Sequence, residues 1–273
     1  MASDQHQTSD VVAGDPVWGT GNAPARSTVP MLHPERPRLI VLEGIDLSGR
    51  TTQVQFLRDW LVAQRYQVTT TAWRTSPLIS DALIRARSGT PLHPLAYSLL
   101  YCADHMDRTQ RVIQPALERR EIVIADRYTY TAFARDAARG LDATWVRKLY
   151  RFAVQPDIVF YLHISPEEAV KRRMALQQQQ ESHKENKNGK HSKDNDKEHK
   201  QKQKSQPQAA TAQPSTKLTQ EALASFRNFE HKMYSEYQQM QKEFGFTVIE
   251  GNQPIEHVQT MLRRTIMHLL LEI

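Results

Sequence analysis

The loop at residues 44–52 constrains the fold of this chain more than any other part of its sequence. An apolar run at 39–42 precedes it, and a helix-like stretch begins near Thr52. Gly44 and Gly49, followed by a basic and a hydroxyl residue, have the spacing of a phosphate-binding loop (P-loop) between a strand and a helix. Such glycines let backbone N–H groups face an anion, and the helix N-terminus adds positive partial charge. The predicted nucleotide-binding residues are Gly44, Ile45, Asp46, Leu47, Ser48, Gly49, Arg50, Thr51 and Thr52.

Arg50 departs from the P-loop pattern, which has Lys at this position. A guanidinium group is a wider, planar fork than an ammonium group, but it still binds phosphate. Because phosphoryl transfer depends on in-line placement, the change predicts a bound nucleotide and leaves weakened or absent catalysis open. The hydroxyl of Thr51 is placed to bind Mg²⁺. The alternative interpretation of the whole loop is a plain glycine turn.

Apolar strands alternate with helices along the rest of the chain, which predicts an α/β fold. The predicted strands are 39–42, 68–73, 122–125, 158–162 and 246–249. The predicted helices are 52–64, 80–87, 95–118 with an interruption near Pro115, 143–153, 167–176, 217–244 and 255–271. This alternation indicates a five-stranded parallel sheet flanked by helices on both faces, a three-layer arrangement. Ligands of such sheets bind beyond the carboxyl ends of the strands.

Two polar segments are predicted to lie outside the folded core. Residues 1–37 are rich in Ser, Thr, Pro, Gly and Ala without an apolar period, so we expect a disordered leader. Residues 177–217 form a low-complexity insert in a domain that extends over 38–273. The net charge is +6, and residues 181–217 hold nine lysines against five acidic residues. The basic excess therefore predicts a solvated segment and no specific nucleic-acid binding.

Cysteine usage and hydropathy limit the class of protein further. A single cysteine, Cys102, excludes an intramolecular disulfide and a cysteine-rich metal site. No apolar run is long enough to cross a membrane, so we expect a cytoplasmic protein without a membrane partner. His183, His191 and His199 of the insert fit either an unspecific metal site or a solvated linker.

A second motif, Asp126-Arg127-Tyr128, directly follows the predicted strand 122–125. An acidic residue at a strand end near a P-loop can bind Mg²⁺, usually through water. The neighbouring Arg127 can hold a phosphate with two parallel hydrogen bonds. Both motifs follow strand ends, so we expect them to meet at one edge of the sheet. The alternative is a plain surface ion pair.

In their order and spacing, three segments of this chain resemble the thymidylate kinase family. They are residues 43–53 (Glu-Gly-Ile-Asp-Leu-Ser-Gly-Arg-Thr-Thr-Gln), residues 99–104 (Leu-Leu-Tyr-Cys-Ala-Asp) and Asp126-Arg127-Tyr128. The resemblance covers residues 38–175 and resumes over 218–266. It implies a P-loop kinase fold, ATP as phosphoryl donor with Mg²⁺, a nucleoside monophosphate such as dTMP as acceptor, and a homodimer.

The resemblance also implies roles by position in the phosphate site. Asp46 corresponds to an acidic residue near the sugar 3′-hydroxyl and the metal. Arg74 corresponds to an arginine that contacts the acceptor phosphate. The predicted catalytic residues are Arg50, Asp126 and Arg127, and the predicted metal ligands are Thr51 and Asp126.

Tyr101 and His105 are the predicted contacts to the base. Tyr101 corresponds to an aromatic residue that stacks on thymine, although it fits a helix core equally. His105 stands where the family has an arginine that contacts a thymine carbonyl, and it can donate one hydrogen bond. Arg135 falls near a position where the family has an aromatic residue. These departures predict a preference for dTMP that is looser than the family's.

The insert 177–217 lies where the family has its mobile lid. Arg172 and Arg173 begin that segment, and they either reach across the phosphates or lie on a solvated helix end. Two further functions stay open. One is a deoxynucleoside kinase, whose acceptor is a nucleoside. The other is a catalytically silent kinase-like protein, which binds nucleotide without turnover.

The composition of the insert predicts that it is dispensable for folding. Replacing 177–214 with a short Gly/Ser linker should leave the melting temperature nearly unchanged, because this tract has too few apolar residues to form a core. Limited proteolysis should cut the wild-type chain in this tract before it cuts the core. A large fall in melting temperature would show that the tract packs against the domain.

Overall fold

A five-stranded sheet lies at the centre of the fold, with strand order β2-β3-β1-β4-β5. The strands are β1 (Arg38–Glu43), β2 (Val68–Ala72), β3 (Ile122–Asp126), β4 (Ile158–His163) and β5 (Thr247–Glu250). Every pair of neighbouring strands is parallel. The structure therefore confirms the predicted five-stranded parallel sheet.

The computed structural model describes residues 32, 34, 36–87, 92–191 and 219–271, and for 183–191 only the course of the backbone. The predicted leader 1–37 lies mostly outside these residues, and so do positions 192–217 of the predicted insert. The three histidines of the insert lie outside the described side chains. The elements below belong to one compact unit, residues 31–273.

Helices cover both faces of the sheet. They are α1 (Arg50–Ala63), α2 (Ser80–Arg87), α3 (Pro94–Arg108), α4 (Gln114–Glu118), α5 (Thr129–Ala138), α6 (Ala143–Leu149), α7 (Pro166–His191), α8 (Gln220–Phe244) and α9 (Ile255–Leu271), and a π-helical turn (Thr109–Ile113) joins α3 to α4. Leu39 and Val41 of β1 belong to a core cluster with residues of α5 and α8. Ile40 and Leu42 belong to a cluster with residues of α1 and α9. Alternate residues of β1 thus face two hydrophobic cores on opposite sides of the sheet. This confirms the predicted three-layer arrangement.

Helix α5 is absent from the sequence-based prediction. It follows a tight turn at Arg127, whose φ is +72°. Four of its ten residues are alanine, the strongest helix former, so local propensity favours this helix. Seven of its residues are buried, and it packs against α8, which adds tertiary stabilisation.

Helices α6 and α7 also end elsewhere than predicted. The structure ends α6 at Leu149, whereas the prediction extended it to residue 153. Helix α7 continues past the predicted end at residue 176 to His191. Gln, Glu and Lys are good helix formers, so a tract too polar to form a core can still extend a helix. The first part of the predicted insert is therefore helical.

The register of the sheet brings the two predicted motifs together. β1 and β3 are neighbours, with Leu42 opposite Asp126. The backbone N–H of Arg127 donates to the carbonyl of Leu42 at 3.0 Å. The P-loop after β1 and the Asp126-Arg127 pair at the end of β3 consequently emerge at one edge of the sheet, as the sequence predicted.

Candidate active site

The P-loop has a backbone course that requires glycine at both ends. Gly44 has a φ of +151°, and a Cβ there would lie 2.7 Å from the carbonyl oxygen of Leu162 and 2.8 Å from Oγ of Ser48. Gly49 has a φ of +94°, in the left-handed region. Ile45 is fully buried and anchors the loop in the core. The loop leads directly into the N-terminus of α1, an arrangement that binds phosphate.

The side chain of Arg50 lies across the inside of the loop. Its Nη1 donates to the carbonyl of Gly44, and its Nε lies 3.4 Å from Oδ1 of Asp126. Burial, together with the nearby charge of Arg127, lowers the pKa of Arg50 from its usual value. The guanidinium thus lies between the loop backbone and the carboxylate of Asp126.

Thr51 and Asp126 lie together beside Arg50. The hydroxyl of Thr51 donates to Oδ2 of Asp126 at 2.6 Å. These two oxygen ligands fit Mg²⁺, which binds a few protein oxygens and completes its shell with phosphate oxygens and water. Among the described residues no cluster of three or more His, Cys, Asp and Glu could hold a metal ion, which is compatible with such a sparse site.

Arg127 faces the same site from the end of β3. Its Nη2 donates to Oδ1 of Asp46 in the P-loop, and its Nη1 lies 3.1 Å from Oγ1 of Thr131. Burial opposes its charge, but the carboxylates of Asp46 and Glu43 outweigh burial and raise the pKa of Arg127. A permanently charged, oriented fork therefore lies next to the loop.

Glu43, the last residue of β1, holds the chain after Arg127 in place by accepting hydrogen bonds from it. Its fully buried carboxylate accepts hydrogen bonds from the backbone N–H of Tyr128 at 2.7 Å and of Thr131 at 3.1 Å. It also accepts from the hydroxyls of Thr131 at 2.6 Å and Tyr237 at 2.7 Å. Glu43 begins the first segment that resembles the family, but its role was not predicted. Its position directly before the P-loop was the sequence feature that could have indicated a role at the site.

Glu230 of α8 contacts the loop from the opposite side. Its Oε2 accepts the backbone N–H of Asp46 at 3.0 Å, and only 1% of the residue is exposed. Burial, together with the nearby carboxylate of Asp46, raises the pKa of Glu230 to about 7. Sequence reasoning missed this residue because nothing distinguishes it from the other acidic residues of a charged helix.

A cavity of about 560 Å³ opens beside the loop, between α3, α5 and α8. Its lining is strongly basic, with two carboxylates, Asp46 and Asp126, against five arginines. These arginines are Arg50, Arg74, Arg127, Arg135 and Arg139. The predicted contacts Asp46, Arg74, Tyr101 and Arg127 thus share one cavity, whereas Arg135 and Arg139 were not among the predicted site residues.

A fixed loop after β2 carries Arg74 to this cavity. Arg74 has a φ of +66°, and its backbone N–H donates to Oδ2 of Asp104 at 2.9 Å. The backbone N–H of Ser76 donates to the other carboxylate oxygen at 3.0 Å. Asp104 is fully buried and lies within 3.8 Å of Arg108. This buried pair fixes the loop while the side chain of Arg74 faces the cavity.

His105 does not line the cavity, contrary to its predicted contact with the base. Its imidazole is fully buried, with ring centroids of Tyr128 and Trp73 at 4.7 Å and 5.2 Å. Burial, and then the charge of Arg108, lowers the pKa of His105 to about 3. Neither ring nitrogen has a hydrogen-bond partner among the described residues. The histidine thus lies in the core behind the cavity wall, where an uncharged ring packs with aromatic neighbours.

A second cavity, of about 440 Å³, lies on the other side of the loop, against α7. Its lining residues are Leu47, Gly49, Arg50, Thr51, Thr52, Arg172, Ala175, Leu176 and Gln179. Arg172 donates to the carbonyls of Leu47 and Gly251, each at 3.0 Å, and so fixes the loop backbone. Arg173 instead packs 5.2 Å from the ring of Phe226 and does not line either cavity. Of the two predicted lid arginines, only Arg172 lies at the loop.

Comparisons with known proteins place the chain among proteins of one kind. A family model described as thymidylate kinase matches residues 42–221. A probable thymidylate kinase 2 of Saccharolobus solfataricus is 42% identical over 137 residues, which cover 50% of this chain and 64% of that protein. A probable thymidylate kinase of Thermococcus kodakarensis is 37% identical over 49% of this chain and 69% of its own length. A thymidylate kinase of a Synechococcus strain is 36% identical over 50% and 72%, so the match spans about two thirds of each relative.

The position of Arg50 predicts a direct effect on nucleotide binding. Arg50→Ala should weaken ATP binding, because a hydrogen bond to a charged group is worth roughly 1.5–3 kcal/mol. Arg50→Lys should retain binding, and Arg58→Ala, which removes an exposed arginine of α1, is the matched control. Isothermal titration of Mg-ATP measures all three. Wild-type affinity in Arg50→Ala would contradict the assignment of the loop.

The raised pKa of Glu230 predicts a pH-dependent stability in the ligand-free protein. Between pH 4.5 and pH 7 the folded state binds more protons than the unfolded state, so stability falls as pH rises through this window. Glu230→Gln keeps an acceptor for Asp46 without the charge. Its free energy of unfolding should gain about 1–3 kcal/mol relative to wild type between pH 5 and pH 8.

Urea unfolding at several pH values provides the measurement for Glu230. Glu243→Gln, which removes an exposed carboxylate from the same helix, should keep the wild-type dependence on pH. A constant difference between Glu230→Gln and wild type at all pH values would refute the raised pKa.

Proposed function

The chain belongs to the thymidylate kinase family, and we propose that it transfers the γ-phosphoryl group of ATP to dTMP, giving ADP and dTDP. One observation carries this proposal: two cavities meet at the P-loop, and Arg50 and Thr51 line both of them. A donor and an acceptor bound in the two cavities would bring their phosphates together at these side chains. This is the arrangement that direct transfer between two bound nucleotides requires.

ATP belongs in the cavity between the P-loop and α7. The backbone N–H groups of the loop and the N-terminus of α1 hold the donor phosphates. Arg50 adds fixed positive charge at the point where the two cavities join. Arg172 keeps the loop in place through its contacts to Leu47 and Gly251.

The acceptor belongs in the larger, basic cavity. Arg74 and Arg127 hold its phosphate, and Asp46 lies beside Arg127, where it faces the sugar. The lining holds five arginines against two carboxylates, and an uncharged nucleoside would not balance this excess of positive charge. The excess therefore favours a monophosphate over the acceptor of a deoxynucleoside kinase.

Transfer proceeds in line, without a covalent intermediate on the protein. Charge spreads over the oxygens of the moving phosphoryl group in the transition state, and Arg50 and Arg127, which line the same cavity, stabilise it. Mg²⁺, when Thr51 and Asp126 hold it, neutralises further charge on the phosphate oxygens. No side chain has to act as a nucleophile.

A homodimer is part of the proposal. Leu95, Leu99 and Met106 are 40%, 46% and 45% exposed on α3. Their spacing places them on one side of the helix, where a second copy of the chain would cover them.

None of the helices in the described part of the chain is long and apolar enough to cross a membrane. A cytoplasmic location remains a prediction.

An ADP-release assay over a panel of acceptors tests the function. We expect dTMP to give the highest kcat/KM, with dUMP as the first competitor because one methyl contact changes specificity by only ~1–3 kcal/mol. Asp126→Asn and Thr51→Ala should each lower Mg²⁺-dependent turnover. Faster phosphorylation of thymidine than of dTMP, dUMP, dCMP and dGMP would overturn the assignment of a monophosphate as the acceptor. ATP binding without turnover of any acceptor would favour a silent binding protein.

A further inference from the structure

The larger cavity, which we propose binds the acceptor, is lined by a buried, oriented arginine that has no role in the proposed phosphoryl transfer. Arg135 of α5 lines this cavity, and only 6% of the residue is exposed. Its Nε donates to Oδ1 of Asp136 at 2.7 Å, and its Nη2 donates to Oδ2 at 3.0 Å. Ser98 of α3 donates to the same carboxylate at 2.5 Å and so fixes it from the other side. The guanidinium is therefore held in one orientation.

Arg135 also covers the ring on which the base was predicted to stack. Its guanidinium carbon lies 3.8 Å from the ring centroid of Tyr101, a face-on distance for a cation–π contact. The base consequently meets the stacked pair of Arg135 and Tyr101 rather than a free face of the tyrosine. Arg135 also makes a side-chain hydrogen bond to Tyr150. A guanidinium group has five N–H donors, so these contacts leave donors for a ligand.

Arg135 lies one helical turn beyond Thr131, which contacts Arg127 at the proposed phosphate site. Arg127 directly precedes α5, and Arg135 lies six positions into this helix, roughly 9 Å along its axis from the first residue. A pyrimidine nucleotide is joined to its sugar at N1, so C4 is the ring atom most distant from the sugar. With the phosphate at Arg127 and Arg74, the base would extend along the same cavity toward Arg135, which also lines it.

We infer that Arg135 reads the acceptor base, by donating a hydrogen bond from its oriented guanidinium to the carbonyl oxygen at C4. This inference rests on the proposed function. A guanidinium group has donors only, so it pairs with the 4-oxo group of thymine or uracil and meets the 4-amino group of cytosine donor against donor. Arg135 thereby takes the role that the sequence assigned to His105, which lies buried behind the cavity wall.

The ratio of kcat/KM for dTMP to that for dCMP tests this role. Arg135→Met keeps the bulk of the side chain without its donors, and it should lower the ratio by about tenfold or more. Arg135→Lys keeps a charged donor and should retain part of the preference. Arg147→Met, which removes an exposed arginine paired with Glu243, should leave the ratio unchanged. A merely structural role would lower kcat/KM for both acceptors equally and leave the ratio where it was.

A test on the wild-type protein covers the case in which Arg135→Met does not fold. Sulfur is a poorer hydrogen-bond acceptor than oxygen, so 4-thio-dTMP should lose more kcat/KM than 2-thio-dTMP. Equal losses for the two analogues, or an unchanged ratio in a folded Arg135→Met, would overturn the inference while dTMP kinase activity stands. A ratio that changes in His105→Gln but not in Arg135→Met would return the role to His105. If wild type phosphorylates no monophosphate, the proposed function itself fails.

Discussion

The buried carboxylate of Glu43 holds the elements of the site in one geometry. A buried carboxyl group is stable only when hydrogen-bond partners surround it, and Glu43 has backbone and hydroxyl donors from the start of α5 and from α8. These hydrogen bonds fix the chain directly after Arg127 relative to the end of β1. They also draw Tyr237, and with it α8, against the sheet. The P-loop, the Asp126-Arg127 pair and Glu230 are thereby placed around one point.

In the ligand-free protein, the charges of the site pair with one another. Arg127 pairs with Asp46, Arg50 with Asp126, and Thr51 donates to Asp126. Bound phosphates would take over the guanidinium donors and release the carboxylates for a metal ion and the sugar. The wide fork of Arg50 suits this exchange, because it spans the distance between the loop carbonyl of Gly44 and Asp126 while it lines both cavities.

The sheet and the phosphate motifs could be predicted from sequence because their signals are local. Apolar runs mark buried parallel strands, and the spacing from Gly44 to Thr51 encodes a backbone course that few other residues can adopt. Helix α5 was missed although four of its ten residues are alanine, and its place in the fold depends on packing against α8, which no local sequence pattern shows. The missed helix is also the reason why Arg135 was assigned no contact, since its position depends on Asp136 and on Ser98 from a distant helix. Burial of His105 likewise depends on aromatic residues that are far apart in the sequence.

The central claim is that the two cavities on either side of Arg50 hold the donor and the acceptor of one reaction. The most direct measurement is the affinity of a compound in which adenosine and thymidine are joined at their 5′ positions by a polyphosphate chain. If the cavities meet as described, this compound should bind roughly 10²-fold or more tightly than ATP or dTMP alone, because its second half binds intramolecularly. Both ATP and dTMP should displace it. An affinity no higher than that of ATP, with no displacement by dTMP, would contradict the account.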